Sequence, residues 1–506
     1  MKRKDSLFRL VKSLSKSEKR FFKIYSTRHV IGDQNNYVAL FNAIARQTVY
    51  NEEAIVRKFK NHKFTKRLAV AKAYLYELIL KSMNSYHAQD SVDAQLREII
   101  GNIVFLNQKK LFNQAMLLVA KAKKTALACE RLAIMPEILR LEKKVLEDAL
   151  YLNHSANTLR ELNQQSVHLH QQLAIINEYW LLQAQLNNHL QAKGLNIKVV
   201  DVPRRVENEL RQLNQKYEPE QNLPFEAQLL LQKTYATYYF ITRDFGECYQ
   251  YSKKLVQLLE SYPNWLNLEL PTYIRTINNL LNISQNQEER KKYLKALATM
   301  QENKALKKQE NVQIQLFEAY HYHLMTNCIK LGDYEKGKQV VVDLAEGLQR
   351  FKDKISLSSQ AMLCFYGFHI CFGAKKHEQA HQWLQKIVRL EAYQVRADIY
   401  HYAHLLLVVA AYEFKNAKQL KKSIKKTYKY LCQSKEQNSY HLNKMTLKFL
   451  KILATKPTLA DLLPHLEEVN LQLIHMKENP EMKRVFAYFD FSFWLGEKLQ
   501  ELRAKL

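Results

Sequence analysis

The stretch 317-FEAYHYHLMTNCIKLGDYEKGKQVVVDL-344 contains two helical segments separated by a short break. Gly332 and Asp333 form the break, and Tyr334 stands three residues before Gly337. Two antiparallel helices need a short turn, a ring that packs over it, and a small residue where the helices approach closely. The stretch therefore predicts a helix hairpin.

The same pattern of a ring followed by a small residue recurs in "KLFNQA" at 110, "RDFGEC" at 243 and "KKHEQA" at 375. The small residues Ala115, Cys248, Gly337 and Ala380 are separated by 133, 89 and 43 residues, close to three, two and one multiples of a period of about 44. One hairpin cannot bury its own apolar face, so we expect neighbouring hairpins to stack and these small residues to be buried.

The composition favours an all-α protein. The 506 residues are 47% hydrophobic, which is enough to build cores, and they include only 10 glycines and 9 prolines, too few for sheet-and-turn architectures. The N-terminus lacks a signal-peptide pattern, and the longest apolar run is too short to span a bilayer. Six scattered cysteines without CxxC pairs suggest reduced thiols. We therefore expect a cytoplasmic protein without membrane insertion.

The hairpin pattern resembles the tetratricopeptide-type helical repeats, although its period of about 44 exceeds that family's 34. The resemblance implies a tetratricopeptide-like α-solenoid of antiparallel helix hairpins at 91–440, between a basic helical N-terminal domain at 1–90 and a C-terminal helical cap at 441–506. In that family the first helices line the concave face. By resemblance, the candidate contacts with a protein or peptide partner are Lys233, Tyr322, Thr326, Lys330 and His369.

Local signals predict four helices in the N-terminal domain and one near the C-terminus. Ser15 and Glu18 fit a capping box for a helix at 16–27, and further helices are expected at 36–47, at 52–60 with Asn51 as its cap, and at 64–86. The aromatic stretch "RVFAYFDFSFWLGEKL" at 484–499 predicts a final helix that seals the cap.

Positive charge is concentrated in two places. The net charge is +28; residues 1–90 hold 19 basic and 7 acidic side chains, and residues 410–460 hold 12 and 2. On a helix over 415–431, Leu420, Ile424, Tyr428 and Leu431 form an apolar stripe, and the lysines point away from it. A solvated face explains this pattern, but so does a polyanion bound by Lys418, Lys422, Lys425 and Lys429.

The segment from Ala54 to Tyr76 contains seven basic residues and no acid. Its two predicted helices could form a helix-turn-helix, with Lys66 and Arg67 entering a nucleic-acid groove and Lys58 or Lys63 on phosphates. A solvated basic face is the alternative.

Two motifs suggest chemistry that the repeat pattern explains more simply. In "HEQAH", His377 and His381 could bind zinc with Glu378 as general base, with Glu391 or Glu413 as a third ligand, but His377 and Ala380 already fit the ring and small positions of a hairpin. "GDYEKGKQ" at 332–339 lacks the Ser or Thr of a phosphate-binding loop. We expect no enzyme, cofactor or metal, and keep a zinc hydrolase as the less favoured alternative.

The sequence therefore predicts a non-catalytic scaffold or adaptor that holds a protein or peptide partner along a helical-repeat array. The alternative is a nucleic-acid-associated or regulatory protein that uses the basic N-terminal domain, with the solenoid as sensor.

Overall fold

The computed structural model describes most of the chain, and every regular element in the described part is a helix. Within that part, no helix combines the length and apolar composition that spanning a bilayer requires. The described residues are 6–27, 36–88, 91–152, 155–193, 201–217, 223–303, 306, 309–351, 354–390, 395–414, 417–433, 452, 459–478, 486 and 488–504.

The chain divides into two compact units, Met1–Glu269 (unit 1) and Leu270–Leu506 (unit 2). The helices of unit 1 are α1 (Ser6–Ser13), α2 (Lys16–Thr27), α3 (Asn36–Arg46), α4 (Glu52–Lys58), α5 (Leu68–Tyr86), α6 (Val92–Gln108), α7 (Phe112–Ala128), α8 (Met135–Asp148), α9 (Ala156–Lys193), α10 (Asp201–Lys216), α11 (Phe225–Thr242), α12 (Phe245–Glu260) and α13 (Pro263–Leu268), with 3-10 turns at Lys63–Arg67 and Leu132–Ile134.

Unit 2 continues with α14 (Leu270–Ile283), α15 (Gln287–Glu302), α16 (Glu310–Leu331), α17 (Tyr334–Arg350), α18 (Leu357–Gly373), α19 (His377–Arg389), α20 (Ala397–Glu413), α21 (Ala417–Gln433), α22 (Leu459–Glu478) and α23 (Phe491–Arg503). The first helices α14, α16, α18 and α20 pack successively on one another, and each contacts the second helix that follows it: α15, α17, α19 and α21, respectively.

The four aromatic-and-small segments form turns of one geometry. The residue two positions before the second helix has a left-handed backbone in each turn: Lys110, Arg243, Gly332 and Lys375 have φ of 60°, 65°, 68° and 57°. Only one of them is glycine, the residue that adopts this conformation without strain. In the third turn, Asp333 also caps α17 by accepting a hydrogen bond from the Lys336 N–H (3.2 Å).

The small residue of every segment is buried, as expected. Ala115 and Ala380 are 0% exposed and Cys248 is 4% exposed. A Cβ atom placed on Gly337 would lie only 2.7 Å from the Ile370 side chain, so α17 and α18 approach closely at this point. The pattern in the sequence therefore marks contacts between helices.

The four predicted N-terminal helices are present with some changed bounds, and a further helix, α1, precedes them. The capping box is confirmed: the Ser15 N–H donates to the Glu18 carboxylate (2.6 Å), and Ser15 Oγ accepts from the Glu18 N–H (3.2 Å). Asn51 caps α4 as predicted. The helix expected from 64 begins instead at Leu68, because 63–67 forms a 3-10 turn, and α4 ends at Lys58. The connection is longer than the three or four residues usual in a helix-turn-helix.

Among the described residues, three sets of buried apolar side chains form continuous cores. One runs from Leu7 to Ile79 and another from Leu96 to Ile241, both in unit 1. The third runs from Ile314 to Leu502 in unit 2, so α22 and α23 share a core with the preceding helix pairs. The boundaries predicted at 90 and 440 remain predictions, and parts of the predicted cap, including 441–451, lie outside the described residues.

The final helix is shorter than predicted. α23 begins at Phe491, because the Asp490 carboxylate caps it by accepting a hydrogen bond from the Phe493 N–H (3.0 Å). Residues 489 and 490 are not helical. Phe486, Phe491 and Trp494 are buried in the unit 2 core.

Candidate binding surfaces

A set of half-buried aromatic and charged side chains lies on the first helices of unit 2 and on the segment that precedes α23. Tyr322 of α16 meets Tyr366 of α18 edge to face, with ring centroids 5.2 Å apart. Burial raises the pKa of Tyr366, and the adjacent Tyr322 adds to the shift. The Tyr366 phenol is therefore a neutral hydrogen-bonding group at physiological pH. We call these residues, with Arg396, Asp398 and Tyr488, the polar-aromatic cluster.

An ion pair extends the polar-aromatic cluster onto α20. Arg396 donates two hydrogen bonds to the Asp398 carboxylate, from Nη2 (2.7 Å) and Nε (3.0 Å), and the Tyr488 hydroxyl donates a third (2.6 Å). Burial opposes the charge on Asp398, but these hydrogen bonds keep its pKa below the usual range. Burial and the neighbouring carboxylate raise the pKa of Tyr488 to about 12. The ring of Tyr488 stacks on Tyr402 at 4.4 Å.

The five predicted partner contacts lie on the three helices α11, α16 and α18. Lys233 lies on α11 in unit 1, whereas the other four lie in unit 2. Tyr322 belongs to the polar-aromatic cluster, and Lys330 is exposed on the same helix. Thr326 Oγ1 donates to the His323 carbonyl (3.0 Å), and its hydroxyl is thus used within α16.

His369, the fifth predicted contact, is part of the aromatic packing of α18. Its ring lies 4.8 Å from Phe365 and 5.0 Å from Phe368. Burial lowers its pKa to about 4, despite a hydrogen bond to the backbone of Tyr488. His369 is therefore a neutral packing residue at physiological pH. It contacts the polar-aromatic cluster through the backbone of Tyr488.

A second surface lies on the second helices α19 and α21. His381 of α19 joins them: its Nε2 lies 3.3 Å from Ser423 Oγ and 3.2 Å from Gln419 Nε2 of α21. The exposed cations of this region, which we call the cationic surface, are Lys375, Lys376, Lys386, Arg389, Lys418, Lys421, Lys422, Lys425, Lys426 and Lys429. In the described part of the chain, none of them forms an ion pair. Lys415 lies outside the described residues.

The apolar stripe predicted for α21 is partly wrong. Leu431 is buried, and Leu420 and Ile424 pack against the core, but Tyr428 is 56% exposed. The buried face instead includes Ser423 and Thr427, whose hydroxyl donates to the His404 carbonyl of α20 (2.7 Å). With Ser423 and Thr427 on the buried face, Tyr428 lies on the exposed face among the lysines.

The N-terminal basic residues lie on and after α4. Lys58 is exposed, and its ammonium lies 5.6 Å from the centre of the Phe59 ring. Lys66 and Arg67 are exposed in the 3-10 turn that precedes α5. The side chain of Lys63 lies outside the described residues. On the adjoining turns of α5, Val70 and Tyr74 are 65% and 48% exposed.

The histidines of "HEQAH" pack within unit 2. The ring of His377 meets that of Phe372 edge to face at 5.2 Å, and burial lowers its pKa. His381 is 4% exposed, and burial lowers its pKa to about 4. Among the described residues, no three His, Cys, Asp or Glu side chains are grouped to hold a metal ion. Glu391, one suggested third ligand, lies outside them.

Several residues of these surfaces were not predicted from the sequence. Tyr366, Arg396, Asp398 and Tyr488 were missed because Asp398 and Tyr488 are ninety residues apart and meet only through folding. Arg389 was missed because it lies on a different helix from the lysine run. The R-x-D spacing of Arg396 and Asp398 is the one local signal that could have indicated an ion pair.

No protein-family model matches this sequence, and no curated protein is significantly similar to it. The tetratricopeptide resemblance therefore rests on the residue pattern and the geometry of the turns.

Proposed function

We propose that this chain is a non-catalytic scaffold or adaptor whose helix pairs stack as a tetratricopeptide-like solenoid and hold a protein or peptide partner on their first helices. The observation that supports this most is the polar-aromatic cluster, which continues from α16 through α18 to α20. Tyrosine and arginine dominate the energetically important positions of protein interfaces, because they combine large contact area with directed hydrogen bonds.

The polar-aromatic cluster is also organised in advance of binding. The two-pronged contact of Arg396 with Asp398 and the stacking of Tyr488 on Tyr402 fix these side chains. A partner would lose less rotamer entropy in meeting them than in ordering mobile side chains. Rigid phenol and guanidinium groups suit a peptide with exposed carbonyls or a carboxylate.

Photo-crosslinking tests this proposal directly. A benzophenone amino acid replaces Tyr322 or Tyr366 in separate variants, and a control variant carries it at Val342, which is 52% exposed on the second helix α17. We expect both cluster positions to crosslink the same protein in the native cell, and Val342 not to. The crosslink should persist after nuclease treatment. Equal crosslinking from Val342, or loss of the product with nuclease, would contradict the proposal.

A matched pair of substitutions provides the second readout. Tyr322→Ala with Tyr366→Ala should reduce recovery of the crosslinked protein in affinity purification, whereas Val342→Ala should not. Unchanged recovery from the double variant, with an unchanged melting midpoint, would show that the partner binds elsewhere.

The nucleic-acid-associated or regulatory role remains the alternative proposal for the N-terminal domain. It is supported by exposed Lys66 and Arg67 next to exposed Val70 and Tyr74, since a basic helix start beside apolar groups suits contact with phosphates and base edges. Lys66→Gln with Arg67→Gln should then weaken binding to duplex DNA. The cytoplasmic location and the absence of an enzymatic activity also remain predictions.

A further inference from the structure

Among the second helices of unit 2 that the structure describes, α21 carries the densest positive charge. α17 mixes Glu335, Asp343 and Glu346 with its cations, whereas α21 contains no acid and α19 contains only Glu378. The helices belong to one array and pack by similar buried apolar faces. The buried apolar faces therefore account for the packing of α19 and α21, and the exposed positive charge has another cause.

Cations from both helices crowd one place on this surface. Burial lowers the pKa of Lys426, and the charges of Arg389 on α19 and Lys422 on α21 lower it further. Lys422 and Lys426 also act on buried His381, which joins the two helices. Like charges held together by the packing of two helices form a site that an anion would stabilise.

The cationic surface has a length and shape that suit a chain of anions. From Lys418 to Lys429, α21 extends about 16 Å at 1.5 Å per residue. The adjacent α19 adds a second row that ends at Arg389. Several consecutive phosphates fit such a strip, whereas a single small anion would neutralise only part of it.

Tyr428 distinguishes among the possible polyanions. It is the one strongly exposed large apolar side chain on α19 and α21 in the described residues, and Lys425 and Lys429 flank it. Proteins that bind single strands combine a positive surface with aromatic rings on which unpaired bases stack. A duplex hides its base faces, and a membrane-binding helix needs a broad apolar face that α21 does not expose.

We propose that the cationic surface of α19 and α21 binds single-stranded nucleic acid, with phosphates on Arg389, Lys422 and Lys426 and a base stacked on Tyr428. This inference uses the second helices and does not rest on the scaffold function proposed for the first helices.

Fluorescence anisotropy on the full chain tests the proposal. The probes are labelled oligo(dT) and oligo(rU) of about 15 nucleotides, a duplex of equal length, and vesicles of phosphatidylserine and phosphatidylcholine. We expect both single strands to bind more tightly than the duplex, and the vesicles to bind least. The ratio of the two single strands then shows whether the sugar contributes.

Two sets of variants assign the binding. Arg389→Gln with Lys422→Gln and Lys426→Gln should reduce the magnitude of the log-log salt slope by about 2, since each single-strand phosphate contributes about 0.7. The control removes equal charge from exposed residues of α15 in the same unit: Lys291→Gln, Lys292→Gln and Lys295→Gln. It should leave the slope unchanged.

The stacking contact has its own control. Tyr428→Ala should weaken single-strand binding roughly tenfold, within the range for one base on one ring, and Tyr428→Phe should bind as wild type does. Because Tyr428 is exposed, neither change should shift the melting midpoint. Duplex or vesicle binding equal to single-strand binding, an unaffected Tyr428→Ala variant, or equal slopes in the two triple variants would overturn the proposal.

Discussion

Replacing His404 by phenylalanine should protect unit 2 against acid. The imidazole is 2% exposed and stacks on Tyr430 with ring centroids 4.1 Å apart. Neither of its ring nitrogens has a hydrogen-bond partner among the described residues. Burial lowers its pKa to about 4, with further contributions from the charge of Lys426 and from His401. Phenylalanine keeps the stacked ring and removes the titrating group.

The free energy of unfolding that His404 costs the protein at acid pH follows from proton linkage. In the unfolded chain a histidine titrates near 6.5, so below that pH the unfolded state binds a proton that folded His404 does not. The stability that depends on neutral His404 is therefore fully present above pH 6.5 and is lost as the pH falls toward 4. For pKa values of about 6.5 and 4, the loss at pH 5 is roughly 2 kcal/mol for this one residue. That corresponds to a shift of about 4 to 8 °C in the melting midpoint of a unit of this size.

The assay compares the melting midpoint of unit 2 at pH 8 and pH 5, with amide hydrogen exchange in α20 and α21 as a local readout. His404→Phe should lose less stability than wild type between the two pH values. His475→Phe is the control, because the His475 side chain on α22 is 87% exposed. Parallel pH profiles for wild type and His404→Phe would refute the reasoning. The neighbouring buried histidines should keep both proteins acid-sensitive, since burial also lowers the pKa of His323 to about 3 and of His369 and His381 to about 4.

Four further substitutions test the packing of the helix pairs by their melting midpoints. Gly347→Ala would place Cβ 2.0 Å from the Phe317 ring and should destabilise unit 2 by about 1–3 kcal/mol. Gly496→Ala is the control, because its Cβ meets no atom closer than 3.8 Å, and it should stabilise unit 2 by up to about 1 kcal/mol. Equal effects of the two substitutions would contradict the close approach at Gly347. Ala380→Leu should overpack the contact of α19 and cost about 1–3 kcal/mol, and an unchanged midpoint would argue against the repeat alignment. Lys375→Gly relieves a left-handed backbone and should stabilise by up to about 1 kcal/mol, and a destabilised protein would count against the turn geometry.

Local sequence predicted the turns, because the ring, the small residue and the helix start lie within a few positions of one another. It did not predict the left-handed residue, since Arg243 and Lys375 carry no sign of that conformation. There the packing of two helices imposes the backbone, at a cost that glycine would avoid. The packing of neighbouring helices therefore overrides the local backbone preference of Arg243 and Lys375, even though most contacts in these hairpins are close in sequence.

The binding surfaces were harder to predict, because burial does not follow hydrophobicity alone. On α21 the pattern of apolar residues placed Tyr428 inside, but Thr427 is 0% exposed and satisfied by the His404 carbonyl. A buried hydroxyl with a partner costs little, so it can occupy a position that an apolar count assigns to a ring. Tyr428, which the apolar pattern placed inside, is exposed and indicates which polyanion the cationic surface would bind.

The lysines of α21 repel one another along the helix as well as across to α19. Like charges one turn apart at 418 and 422, 421 and 425, 422 and 426, and 425 and 429 each destabilise the helix by about 0.2–0.5 kcal/mol, which together makes roughly 1–2 kcal/mol. The buried side of α21 gains nothing from those charges, since its core contacts come from the opposite face. A bound phosphate chain would reverse the sign of that contribution, because each cation would then face an anion instead of another cation. The repulsion that makes this helix weaker in isolation is therefore the same feature that would couple its stability to an occupied surface.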